Sequence, residues 1–149
     1  MPTQVEEALA TLLRGQEKAD VLTHPAAVEE AGRALAARIA GLEPDVLALW
    51  DGAEDAVLGH VVARALGVSC VAAVEESGVL EFTTRLPEGA RVVLLADAFR
   101  TGKELNALLG LVRHRHGLPV AAASLVTTPV LEAYAAGGGT TLTAADEKA

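Results

Sequence analysis

Apolar positions along this chain follow two periods, one of a helix and one of a buried strand. Near the start, Val5, Leu9, Leu12 and Leu13 recur at helical spacing. Thr3 stands three residues before Glu6, the spacing of a capping box, in which each side chain serves the other's backbone amide. Residues 14–20 are polar and include Gly15, so this helix should stop there. A second helix is predicted over 26–40, with Val28, Leu35 and Ile39 as its stripe. Pro25 suits its first turn, where the missing N–H would be unpaired anyway, and Gly41 suits its C-terminal stop. Residues 46–50, 68–74, 91–96 and 120–126 are short, continuous apolar runs, which read as buried strands. Between them the helical period returns at 56–66, 103–116 and 129–136. Gly67 closes the first of these helices, and Gly117 with Pro119 closes the second. Residues 79–86 read as extended up to the Pro87-Glu88-Gly89 break, and 140–142 as a last strand after the 137–139 turn.

Two helices followed by alternating strands and helices define an α/β fold. Strands that are apolar throughout, rather than at every second position, imply a mostly parallel sheet flanked by helices on both faces. With no repeat and no linker, the chain reads as a single domain over 1–149, with an N-terminal helix and turn at 1–20 and a tail at 143–149. A chain of this size buries about two-thirds of its surface, enough for a core without disulfide or structural metal. In such sheets ligands sit at the carboxyl ends of the strands. Two loops are therefore the candidates, 51–55 and 97–102.

Composition narrows the partners. Hydrophobic residues are 51% and charged residues 21%, which excludes a disordered chain. No apolar run reaches the ~18 residues that span a bilayer, and the start has no signal-peptide pattern. The expected compartment is the cytoplasm. Twelve basic residues against 20 acidic ones give a net charge of −8, which repels nucleic acid and anionic lipid. A small anion would need local backbone geometry to hold it.

The loop after the 91–96 strand offers that geometry. It reads Asp97-Ala98-Phe99-Arg100-Thr101-Gly102-Lys103-Glu104-Leu105. Amides at a helix start lack partners and point outward toward an anion. Thr101 adds a hydroxyl, Gly102 permits close approach, and Arg100 and Lys103 add positive charge. Asp97 can accept hydrogen bonds from sugar hydroxyls. The same pattern also suits an ordinary strand-to-helix turn with Thr101 as the cap.

This segment resembles the phosphoribosyl diphosphate (PRPP) motif of type I phosphoribosyltransferases: an apolar strand, two acidic residues, two variable ones, then Thr-Thr-Gly. Asp97 falls on the second acidic position, Thr101 on the second threonine and Gly102 on the glycine. The likeness continues in Leu22-Thr23-His24-Pro25 with its following helix, and in Pro44-Asp45-Val46 and the segment 61–68, which are similar to orotate phosphoribosyltransferases. The resemblance implies a 5′-phosphate site at Arg100, Thr101, Gly102, Lys103, Glu104 and Leu105. It implies a ribose contact and catalytic role for Asp97, magnesium bound with PRPP, no resident metal ligand, and a homodimer. The reaction implied joins PRPP to a nitrogen base and releases pyrophosphate.

Three departures oppose transfer. Ala96 stands on the first acidic position, and losing a hydrogen-bond partner for a buried polar group costs roughly 1–3 kcal/mol. The pyrophosphate loop, Gly52, Ala53, Glu54 and Asp55, carries two carboxylates where the family pattern is glycine-rich. Each repels an anionic charge by about 1 kcal/mol at 4 Å in water, and more where water is excluded. The alternative for this pair is that both face solvent, with Asp55 capping the next helix. Lastly, the segment after the second strand is short, and Arg85 is its only cation, which makes a poor lid. Two functions follow: a phosphoribosyltransferase-like protein that binds PRPP or a nucleoside monophosphate, or a non-catalytic relative serving as ligand sensor or partner subunit.

Other chemistry-bearing residues read as structural. Cys70 lies in an apolar strand with no catalytic partners, and Ser69 and Ser77 lack a nucleophile-elbow setting. His114 and His116 are two apart on a helix, face different ways, and suit the helix C-terminus. His24 and His60 read likewise. Trp50 and Phe99 adjoin the candidate site, where each packs against either a base or the fold.

Overall fold

The structure is a computed structural model that describes residues 3–13 and 20–145. The elements in chain order are α1 (Gln4–Leu13), α2 (Pro25–Ile39), a 3-10 turn (Ala40–Leu42), β1 (Val46–Trp50), α3 (Ala53–Leu66), β2 (Ser69–Glu76), β3 (Val79–Phe82), β4 (Arg91–Ala96), α4 (Gly102–His114), β5 (Leu118–Ser124), α5 (Pro129–Ala136) and β6 (Thr141–Thr143). The expected turn over 14–19 and the tail beyond 145 lie outside the described residues.

Six strands form one sheet in the order β3-β2-β1-β4-β5-β6. All neighbours are parallel except β2 and β3, which form an antiparallel hairpin. Its turn, Ser77-Gly78, holds positive φ at both residues (52° and 78°), the primed turn that matches strand twist. Side chains alternate between faces along each strand. Leu47, Leu49, Val93 and Leu95 pack under α1, α2 and α3, whereas Val46, Ala48, Val92 and Leu94 pack under α4 and α5. The sheet is thus buried on both sides, which is why its strands are apolar throughout.

Several boundaries differ from the expected ones. α3 begins at Ala53 rather than 56, because Gly52 occupies the cap position and the Gly52 carbonyl accepts the Ala56 amide at 2.9 Å. β2 runs to Glu76, its last residues held by pairing with β3. After α2 the left-handed residue is Glu43 (φ 51°), not Gly41. After α4 it is His116 (φ 64°), and the glycine beside it has a packing role. A Cβ on Gly117 would lie 2.8 Å from Leu86. The capping box at α1 forms as expected, with the Glu6 amide donating to Thr3 Oγ1 at 3.0 Å and the Thr3 amide to Glu6 Oε1 at 2.9 Å.

Connectivity positions the site. From β1 the chain moves outward to β2 and β3, then returns to place β4 on the other side of β1. The strand order therefore reverses between β1 and β4. A crevice opens at that switch point, beyond the carboxyl ends at Trp50 and Ala96.

Candidate functional site

The crevice is a cleft of about 190 Å³. Glu54 and Asp55 enter it from the first turn of α3, Asp97 and Arg100 from the loop after β4, and Glu104 from the first turn of α4. Trp50 forms a wall at the end of β1, and its indole N–H donates to the Glu104 carbonyl at 3.2 Å. Phe99 is buried and packs against the fold.

The carboxylates are engaged inside the cleft. Asp55 Oδ1 accepts the Asp97 amide at 3.1 Å and so ties the first turn of α3 to the β4–α4 loop. Asp55 therefore faces the site; the cap position of α3 belongs to Gly52. Burial pushes the Asp55 carboxyl up to about 6, and the charge of Asp97 adds to the effect. The Asp97 amide and Arg100 act against it. The Asp97 side chain is only 8% exposed and meets Arg100 in a two-point contact, Nη1 to Oδ1 and Nη2 to Oδ2, each 3.2 Å. Arg100 Nη1 also donates to the Ala98 carbonyl at 3.3 Å. A planar guanidinium suits this fork geometry and offsets the cost of burying the carboxylate.

Thr101 caps α4. Its Oγ1 accepts the Glu104 amide at 3.1 Å and donates to Glu104 Oε1 at 3.1 Å. The helix start thus holds an anionic group of its own. The expected phosphate residues divide around it. Gly102 and Leu105 line a neighbouring groove between α4 and α5, while Thr101, Lys103 and Ala53 are exposed and outside the cleft lining. Gly52, Glu54, Asp55, Asp97, Arg100 and Glu104 come together in the cleft.

Three contacts escaped the sequence reading. Asp97 and Arg100 are three apart and pair, although the motif reading assigned them to different parts of a ligand. Thr101 and Glu104 repeat the spacing already noted at Thr3 and Glu6, a signal that was present. Trp50 is placed by a tertiary contact that leaves no local trace.

Carboxylate oxygens are donors that suit magnesium. Here both Asp97 oxygens are held by Arg100, and among the described residues no group of three or more His, Cys, Asp or Glu is placed to hold a metal. The residues do not fit a resident ion. Cys70 is half-buried, its thiol donates to the Gly59 carbonyl at 3.5 Å, and burial pushes its pKa up, consistent with an inert structural thiol. His24 sits 3.6 Å from Asp20, and His60 is exposed on α3.

No family model matches the sequence, and no curated protein matches it. Solved structures do. Orotate phosphoribosyltransferase of Mycobacterium tuberculosis, in complex with inorganic phosphate, superposes with a TM-score of 0.72 at 21% identity, over 97% of this chain and 88% of that one. Adenine phosphoribosyltransferase of Rhodothermus marinus gives a TM-score of 0.71 at 21% identity, over 93% and 97%. The adenine enzyme of Thermoanaerobacter pseudethanolicus gives 0.66 at 22% identity, over 83% and 82%. The parallel six-stranded sheet, its antiparallel edge hairpin and the crevice between β1 and β4 are together the fold of the type I phosphoribosyltransferases.

Proposed function

We propose that this chain is a phosphoribosyltransferase-fold binding module that takes a phosphorylated ribose compound bearing one phosphate, and that it does not transfer the sugar. One observation carries the reading. Glu54, Asp55, Asp97 and Glu104 line the cleft, and among the described residues the only cation of its lining, Arg100, is already paired with Asp97. A diphosphate entering there meets like charge on several sides, at about 1 kcal/mol per pair at 4 Å in water and about 4 at a partly buried site. A cleft of about 190 Å³ is also below the roughly 300–1,000 Å³ of ordinary ligand sites, too small for sugar, diphosphate and base together.

A single phosphate has a gentler route. The first-turn amides of α4 have no partner within the helix. A phosphate there replaces the Glu104 carboxylate at Thr101 Oγ1, gains the charge of Lys103, and releases Arg100 toward itself, leaving Asp97 for the ribose hydroxyls. The similar orotate phosphoribosyltransferase of Mycobacterium tuberculosis was solved in complex with inorganic phosphate, which supports an anion as ligand for this fold. The placement of Asp97 at the end of β4, lining the cleft, favours a second reading in which PRPP and magnesium are used and a base is ribosylated.

Incubation with PRPP, magnesium and adenine or orotate decides between them. No pyrophosphate release is expected, and steady release overturns the non-transferring reading. Calorimetric titration with ribose 5-phosphate tests the binding half. Lys103→Ala should weaken binding several-fold with an unchanged unfolding midpoint, since Lys103 is exposed. By the same resemblance we expect a homodimer, which sedimentation equilibrium measures, in the cytoplasm. No described helix is long and apolar enough to cross a membrane.

A further inference from the structure

A second cavity, of about 640 Å³, lies at the opposite pole of the sheet. Arg91 and Leu118, which open β4 and β5, mark that pole, whereas the cleft lies beyond their carboxyl ends. The six residues of β4 put about 20 Å between the two poles, and Phe82, which pairs with Ala73 beside Trp50, brings one wall of the cavity back to the level of the cleft. Arg85 and Glu88 enter the cavity from the loop after β3, and His114, Arg115 and His116 from the end of α4. Half-buried Phe82 adds an apolar wall.

The negative end of the α4 dipole accounts for His114 and Arg115. It does not account for Arg85, which arrives from a different element. Nor do carboxylates claim these groups. Although the chain carries 20 acidic residues, among the described residues neither arginine and neither histidine makes an ion pair, and Glu88 is the sole carboxylate of the lining. The two loops are fastened together. The His116 carbonyl accepts the Gly89 amide at 2.8 Å, and the Ala90 carbonyl accepts the Leu118 amide at 2.8 Å. His116 is held at φ 64°, a conformation that non-glycine residues seldom adopt, and buried Leu86 packs against Gly117. The wall that carries the cations is thus prearranged.

We propose that this cavity is a second anion site, which takes a small, multiply charged phosphate compound on Arg85 and Arg115. Two arginines against one glutamate leave a local positive charge on a molecule of net −8, which draws a multiply charged anion here. Guanidinium forks match phosphate oxygens in geometry. The volume lies within the range of small-molecule sites, roughly 300–1,000 Å³. This inference does not rest on the proposed function of the cleft.

The test is calorimetric titration of the full chain with inorganic tripolyphosphate at low ionic strength, without magnesium. One binding event is expected. The double substitution Arg85→Gln with Arg115→Gln should weaken it at least about tenfold, since charge-assisted bonds are the strong ones. Both residues are exposed, and an unchanged melting midpoint verifies the fold. Lys103→Ala, at the exposed start of α4, should leave the binding intact. The ring resonances of His114 and His116 should shift with tripolyphosphate while those of His60 stay fixed. No binding at millimolar tripolyphosphate overturns the proposal. So does wild-type affinity in the double variant, or loss of binding in Lys103→Ala.

Discussion

Asp55 carries opposing demands. Its carboxylate is the acceptor that joins α3 to the β4–α4 loop, yet burial and the neighbouring Asp97 disfavour its charge. The sign of the pH effect follows. The carboxyl ordinarily titrates at 3.8 and in the folded chain at about 6, so between those values the folded state holds the extra proton. Stability therefore falls as pH rises through this window, and the penalty is complete above it. For a half-buried group the cost is about 1–3 kcal/mol. Asp55→Asn keeps an acceptor for the Asp97 amide and removes the charge. It should raise the unfolding midpoint at pH 8 by a few degrees, with no gain at pH 4. A loss at pH 8 would show that Asp55 is not under this strain. These relations were only partly legible in the sequence. The acidic residues and the Thr101–Glu104 spacing were visible there. That Arg100 turns back on Asp97, and Asp55 reaches the Asp97 amide, depends on rotamers set by tertiary contact.

Among the elements, the strands of the parallel sheet were readable because burial on both faces makes them apolar at every position. The hairpin edge was less so: Glu75 and Glu76 belong to β2 only through their partners Leu80 and Val79 across the turn. Helix ends moved for backbone reasons, at Gly52 and His116, that composition does not record. Two glycines with similar local sequence settings separate by contact. A Cβ on Gly32 of α2 would stand 2.5 Å from Val61 Cγ1 of α3, whereas one on Gly41 meets nothing within 4 Å. Val61 is β-branched and has little freedom to yield. Gly32→Ala should cost about 1–3 kcal/mol in chemical denaturation. Gly41→Ala should be neutral or stabilise by up to about 1 kcal/mol. Equal effects would mean that α2 and α3 do not meet at Gly32.

At the scale of the whole molecule, charge is unevenly placed on a fold shared with catalytic proteins. The acidic cleft marks the switch point, and the cationic cavity marks the opposite pole. Topology sets the crevice at the first location, and a handful of carboxylates set its charge. The most direct measurement is the thermal unfolding midpoint with ribose 5-phosphate, compared with PRPP and magnesium. At 100 times its dissociation constant a ligand stabilises by about 2.7 kcal/mol, several degrees at this size. A rise of that order with ribose 5-phosphate, and no further rise with PRPP and magnesium, is the predicted result. A larger rise that requires both PRPP and magnesium, or no rise with either compound, would contradict it.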